Sequence, residues 1–331
     1  MSAVPSRLVI GLGVLLLSSL GCEPAAHSLG QGSQLPEVGS PPVSVAASAI
    51  APPPVAPPTS PTQACPNDAA GFRETGSFRH GRTQLVRATG SPRHSAVDVV
   101  TLRGEGARLR GKFTYGKTRK DLEDEEIKLL VQGRDCRFRE AAMALTDRDG
   151  FATLEAPGGL FDAPGRYAFD LVVAGDASRA SGSVWVVQRG ERAVVFDIDA
   201  TLTHSDGEIV REVLFGTETV PRPDAAKLAR EYAADGTVVV YLTGRPSRIL
   251  PQTRAWLRQH GFPPGPVIGP EDLEEALPTS EAVGAFKERT LRGLSAAGLS
   301  LRLAYGNAKT DICAYTHAGI DPRRVFIVGP H

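Results

Sequence analysis

From residue 191 to the C-terminus, apolar runs of four to eight residues alternate with stretches of helical period. This rhythm constrains the fold more than any other feature of the chain. Residues 193–197, 237–242, 266–268, 301–305 and 324–328 read as strands. Residues 224–234, 247–260, 281–297 and 309–318 read as the helices between them, and Gly236, Gly261 and Gly298 stand where helices are commonly closed. Strands without polar alternation are buried on both faces, and parallel strands need a crossover that is usually a helix. The pattern therefore predicts a Rossmann-like parallel sheet in an α/β domain over 191–331. Such sheets bind ligands beyond the carboxyl ends of their strands.

The preceding stretch, 65–190, has another rhythm. Short β-rich runs (VDVVTL, ARLRGKFTYG, EIKLLVQ, FATLEA, RYAFDLVVAG, SGSVWVVQ) are separated by Gly, Asp and Pro turns, which predicts an immunoglobulin-like β-sandwich. The sequence Asp147-Arg148-Asp149-Gly150 reads as a tight turn, since the rest of a calcium loop is missing. Residues 23–64 are dominated by Pro, Ala, Ser, Gly and Val and read as an extended linker. Residues 1–22 read as a signal peptide: Arg7, then the apolar run LVIGLGVLLLSSL, then Gly21-Cys22. Cys22 is placed as the lipidated cysteine of a bacterial lipoprotein, so the expectation is an exported protein held by a lipid anchor on the periplasmic face of a membrane, the outer membrane favoured because Glu23 follows. Of the other three cysteines, Cys65 and Cys136 could pair, and Cys313 reads as a small buried residue in a helix. With 37 basic and 37 acidic residues the chain has no net charge, which argues against a nucleic-acid partner. The sequence specifies no protein partner.

The chemistry concentrates at strand ends. Residues 194–203 read VVFDIDATLT, so an apolar strand runs into Asp197 and Asp199. Side chains two apart on a strand leave one face, and two adjacent carboxylates call for a cation. Magnesium, which takes oxygen ligands, suits them. Residues 238–246 read VVVYLTGRP; Thr243, Gly244 and the following backbone amides can form an anion site at a helix start, or Thr243 can cap the helix. Lys287, in the predicted helix 281–297, reads in isolation as a solvated surface lysine. Residues 303–311 read LAYGNAKTD, where Asp311 near a helix start can be a cap or a metal ligand.

Taken in order, these four segments resemble the haloacid dehalogenase superfamily. The resemblance implies that Asp197 is a nucleophile forming an aspartyl-phosphate and Asp199 a general acid and base. It implies that Thr243, Gly244 and Lys287 bind phosphate, that Thr201 and Asn307 support the site, and that Asp197, Asp199 and Asp311 hold Mg2+. Within the superfamily, FDIDATLT, YLTGRP, WLRQHGFPPGP, YGNAKTD and VFIVG are similar to lipin-type phosphatidate phosphatases and to the C-terminal domain of membrane-associated phosphatidylinositol transfer proteins, over residues 166–329. That likeness implies hydrolysis of phosphatidic acid or a related phospholipid. Ala200 stands where the family usually has Gly, and Asn307 where many members have Asp. Asp197 is absent from relatives that only sense phosphatidic acid, and its presence here favours catalysis. Only residues 204–223 separate the first motif from the next helix, room for a flap and not for a large cap, which implies an open site. The alternatives are an extracytoplasmic phosphatase for soluble phosphomonoesters and a non-catalytic module that binds phosphatidic acid.

Overall fold

The computed structural model describes residues 76–204, 219–271 and 280–329, all within one compact unit, Ala56–His331. Cys22, Cys65, the leader, the linker and the centre of the expected flap lie outside the described residues.

After a short helix α1 (Thr83–Ala88), the first half is built from β1 (Ser95–Ala96), β2 (Val99–Leu102), β3 (Ala107–Lys112), β4 (Thr114–Tyr115), β5 (Lys120–Asp121), β6 (Glu126–Gln132), β7 (Phe138–Leu145), β8 (Phe151–Ala156), β9 (Gly165–Val173) and β10 (Arg179–Val187). They form a three-stranded sheet, β1-β3-β8, and a five-stranded sheet, β2-β10-β9-β6-β7, with β4 and β5 as a separate hairpin. The two larger sheets share a core. Alternate residues Ala107 and Leu109 of β3 meet Leu129 and Val131 of β6 and Phe169 and Leu171 of β9 within one buried cluster. This is a β-sandwich, with the departure that β2 runs parallel to β10. Asp147 Oδ1 accepts the N–H groups of Asp149 (3.0 Å) and Phe151 (2.8 Å), and Gly150 takes φ +71°, which makes that segment the expected turn.

The second half contains β11 (Arg192–Asp197), α2 (Ala225–Ala234), β12 (Val238–Leu242), a 3-10 turn (Ser247–Ile249) leading into α3 (Leu250–Gln259), β13 (Val267–Ile268), α4 (Ser280–Ala296), β14 (Ser300–Gly306), α5 (Lys309–His317) and β15 (Val325–Ile327). All strand pairs are parallel, in the order β13-β12-β11-β14-β15. Val194, Val195 and Phe196 are fully or almost fully buried, as a two-sided cover requires. The chain starts in the centre at β11, builds outward to β13, and returns to the other side at β14. The connections therefore diverge between β11 and β14, where a crevice opens at the carboxyl ends of the two strands. Asp197 ends the first of them and Gly306 the second.

The two halves are joined by a polar seam, buried at Asp98, Ser95 and Ser247. Asp98, just before β2, accepts Ser183 N–H (2.9 Å) on its own sheet, Val267 N–H (3.0 Å) on edge strand β13, and Arg254 Nη2 (3.0 Å) on α3. Ser95 Oγ lies 3.1 Å from Ser247 Oγ, and Arg110 Nη1 donates to Glu271 at 2.9 Å. Leu102 packs against the second core.

The cysteines bring one correction. Cys313, expected as a buried thiol, is half-buried and disulfide-bonded, as is Cys136. A cysteine on an accessible helix face has no apolar enclosure to keep it inert.

Candidate active site

Three carboxylates and two cations gather at the carboxyl end of β11. Asp197 is the last residue of β11 and is 2% exposed; Asp311, in the first turn of α5, is 0% exposed. Lys287, half-way along α4, is 4% exposed and extends between them. Its Nζ donates to Asp197 Oδ1 at 2.6 Å and to Asp311 Oδ1 at 2.5 Å. The surface lysine suggested by its helix alone is thus a buried bridge. Burial disfavours its charge, but the two carboxylates outweigh burial and raise its pKa above the ordinary value. Burial, opposed by Lys287 and aided by the charge of Asp311, pushes the Asp197 carboxyl up to about 7. Two acids sharing one ammonium leave the pair short of positive charge.

The other oxygens are also engaged. Thr201 Oγ1 donates to Asp197 Oδ2 at 3.1 Å. Asn307, with its amide turned so that its NH2 faces them, donates to the Asp199 carbonyl (3.0 Å) and Asp197 Oδ2 (3.2 Å). Asp311 Oδ2 accepts the N–H groups of Asn307 (2.9 Å) and Ala308 (3.0 Å), capping α5 while its other oxygen faces Lys287. This requires glycine at 306, because a Cβ there would stand 2.6 Å from Asp311 Cβ and 2.7 Å from Oδ2. Ala200 takes φ +52°, a left-handed turn that favours glycine, and its carbonyl is held by Arg222 Nη2 at 2.9 Å. Thr203 forms an antiparallel bridge with Pro221.

Asp199 faces another cation. Arg245 Nε lies 2.9 Å from both of its carboxylate oxygens, and Nη2 donates to Oδ1. Thr243 Oγ1 donates to Asp199 Oδ2 at 3.0 Å and accepts the Arg245 N–H at 3.2 Å. Arg245 is 4% exposed. Nothing in the sequence singles it out: it stands directly after Thr243-Gly244, three residues past the end of β12. Gly244 lies against Val283 of α4, whose Cγ1 would be 3.1 Å from an added Cβ.

The residues therefore divide into two linked clusters, Asp197–Lys287–Asp311 and Asp199–Arg245–Thr243. Counting charges, three carboxylates face two cations, a deficit of one positive charge in a buried site. Asp197 and Asp311, with the Asp199 carbonyl that shares a donor with Asp197, form an oxygen-only set of two carboxylates and a backbone carbonyl. That donor chemistry and the charge deficit fit a small divalent cation. Among the described residues no group of three His, Cys, Asp or Glu side chains could hold a metal, so the carbonyl is needed to complete the set.

Comparison with known proteins gives these clusters relatives. Residues 194–329 match the family model of the LNS2 domain of PITM 1-3, and residues 92–186 match that of the PITM 1-3 beta-sandwich domain. Membrane-associated phosphatidylinositol transfer protein 1 of Rattus norvegicus is 29% identical over 257 residues, covering 76% of this chain and 20% of the relative. Membrane-associated phosphatidylinositol transfer protein 3 of Homo sapiens is 29% identical over 252 residues, 75% of this chain and 24% of the relative. Protein retinal degeneration B of Drosophila melanogaster is 28% identical over 254 residues, 75% and 19%. This chain thus spans about a fifth of the length of the curated relatives it matches. A solved Class C acid phosphatase from Bacillus anthracis is 16% identical over 42% of this chain and 66% of that one, with a TM-score of 0.31, too slight a likeness to carry an argument. The relatives correct one expectation: those of rat and human are named membrane-associated transfer proteins and all three come from animals, which contradicts the exported, lipid-anchored periplasmic localisation. No described helix is long and apolar enough to cross a membrane. Over residues 92–186 and 194–329, this chain is similar to the β-sandwich and LNS2 domains of the PITM family, joined in that order.

Proposed function

We propose that this chain is a phosphomonoester hydrolase of the haloacid dehalogenase type, acting on phosphatidic acid or a related phospholipid. The observation that carries the reading is the buried Asp197 carboxylate at the end of the central strand, bridged by Lys287 to Asp311. In this reading an Asp197 oxygen attacks phosphorus and the ester P–O bond breaks. The departing alkoxide takes a proton from Asp199. Asp199 then removes a proton from a water molecule, the resulting hydroxide attacks the acyl phosphate, and phosphate leaves as Asp197 is regenerated. Phosphoryl transfer depends mainly on positioning and on neutralising the equatorial oxygens. Thr201 and Lys287 fix the nucleophile, and Lys287 supplies positive charge beside it. Asp197, the Asp199 carbonyl and Asp311 would hold Mg2+, which when bound adds charge neutralisation at the phosphoryl group.

One observation favours a second reading, a module that binds phosphatidic acid without turnover. Both Asp199 oxygens are occupied by Arg245 and Thr243, and a carboxyl that delivers a proton must be released from such a clamp. The relatives are moreover named as transfer proteins. Phosphate release from phosphatidic acid in mixed micelles and from a panel of soluble phosphomonoesters, with and without Mg2+, separates the readings. Mg2+-dependent release that is lost in Asp197→Asn supports hydrolysis, and preference for the lipid supports the phospholipid substrate. Binding of phosphatidic acid with no release from any ester overturns hydrolysis in favour of the binding module.

A further inference from the structure

Three arginines from both halves of the protein meet at the seam beside the active-site end of the parallel sheet. The β4–β5 hairpin turns through Gly116, Lys117, Thr118 and Arg119. Arg119 sits there with φ +52°, a conformation that costs a non-glycine residue energy. Its Nη1 donates to the Arg93 carbonyl at 3.5 Å. Two residues beyond Arg93, Ser95 Oγ is 3.1 Å from Ser247 Oγ, and Arg248 follows Ser247 directly. Burial first, and then the charges of Arg248 and Arg93, pull the Arg119 guanidinium below its ordinary value.

Among the described residues no ion pair neutralises these three groups. Nearby acids are engaged elsewhere: Asp121 of β5 with Lys112 at 2.8 Å, and Glu271 with Arg110 at 2.9 Å. Lys117, in the same turn, is exposed, as is Arg93. The whole chain has equal numbers of basic and acidic residues, so the surplus is local. Like charges gathered around a strained turn, without an ion pair among the described residues, are a feature that a polyanionic surface would relieve.

We propose that Arg93, Arg119 and Arg248, with Lys117, form a docking patch for an anionic phospholipid surface. Arg248 lies in the 3-10 turn that follows Thr243 and Arg245, on the rim where the carboxyl ends of the strands open. A bilayer resting on the patch would lie on the same side of the molecule as Asp197. The patch stands apart from the two carboxylate clusters and does not rest on hydrolysis there.

The test is co-sedimentation of the full chain with vesicles of phosphatidylcholine alone and with phosphatidylserine replacing part of it. Binding is expected only to the anionic vesicles and should weaken with added salt. Near a charged surface each arginine should account for about fivefold in affinity, so Arg93→Gln, Arg119→Asn and Arg248→Gln together should lose on the order of a hundredfold. Arg108→Gln removes a charge from an exposed pair with Glu155 and serves as the control; it should bind as the wild type. Should the triple variant melt early, the single variants Arg93→Gln and Arg248→Gln carry the same test at fivefold each. Wild-type affinity in these variants, equal loss in Arg108→Gln, or equal binding to neutral vesicles would overturn the proposal. So would displacement by inorganic phosphate at constant ionic strength, which would indicate an isolated phosphate site.

Discussion

Asp98→Ala should uncouple the β-sandwich from the parallel α/β half. One buried carboxylate accepts Ser183 N–H, Val267 N–H and Arg254 Nη2, so it ties β10, edge strand β13 and helix α3 to a single point. Alanine would leave two buried amide N–H groups without acceptors, at about 1–3 kcal/mol each. It would also strip Arg254 of its carboxylate, and breaking a buried ion pair from one side costs about 3–5 kcal/mol. These figures overlap because one group serves all three donors, and Arg254 keeps its bond to the Ala96 carbonyl at 3.0 Å. The expected loss is therefore about 3–5 kcal/mol, against a total stability of roughly 5–15 kcal/mol for a folded domain. Asp98→Asn keeps one acceptor oxygen and should cost about 1–3 kcal/mol. The chain has two tryptophans, Trp185 on β10 and Trp256 on α3, so fluorescence in single-tryptophan backgrounds reports each half in a urea titration. The wild type should show coincident transitions, and Asp98→Ala should shift both and separate them. A loss below about 1 kcal/mol with coincident transitions would refute the seam as the coupling element.

His94 should give the sandwich an acid-sensitive step. Burial, partly offset by the charge of Asp176, pushes its imidazole down to about 4, below the roughly 6.5 of an unfolded chain. A depressed folded value means that its contribution is complete above about pH 6.5 and is lost as pH falls toward 4, by about 3 kcal/mol in all. His94→Gln should flatten melting temperature over that window, and an unchanged acid slope would contradict this. Gly306→Ala drives a methyl group into Asp311, so phosphate release should fall at least tenfold, for about 1.4 kcal/mol of misplacement; undiminished release would remove Asp311 from the site. Lys287→Met leaves two buried carboxylates without their shared cation and should cost about 3–5 kcal/mol near neutral pH. The cost should shrink in mild acid, where a buried carboxyl takes a proton, and a pH-independent cost would argue against the shared bridge.

The strands of the parallel sheet were legible because apolar runs such as Val194-Val195-Phe196 have no polar face. The ends of three of them were legible too, since Asp197 closes one run and Thr243 and Gly306-Asn307 directly follow two others. Lys287 was legible only through the family resemblance, as a phosphate-binding residue: a helix pattern shows which face is apolar but not that one polar side chain crosses over a strand end to reach two acids in other segments. Arg245 was missed because nothing local distinguishes a guanidinium that meets Asp199, 46 residues away, from a surface charge. Strand β7 escaped because its residues alternate only weakly between half-buried and exposed, leaving no clear period of two. The parallel pairing of β2 with β10, and the seam built on Asp98, depend on contacts between distant segments that no local pattern encodes.

The carboxylate geometry makes hydrolysis and simple phosphate binding differ at one bond, the one between Asp197 and phosphorus. Acid-quenched turnover of a radiolabelled phosphomonoester, presented both as phosphatidic acid in mixed micelles and as a soluble ester with Mg2+, tests it directly. Transient label is expected on the peptide that contains Asp197, sensitive to hydroxylamine and absent in Asp197→Asn. Phosphate release with no label at Asp197, or release undiminished in Asp197→Asn, would contradict it.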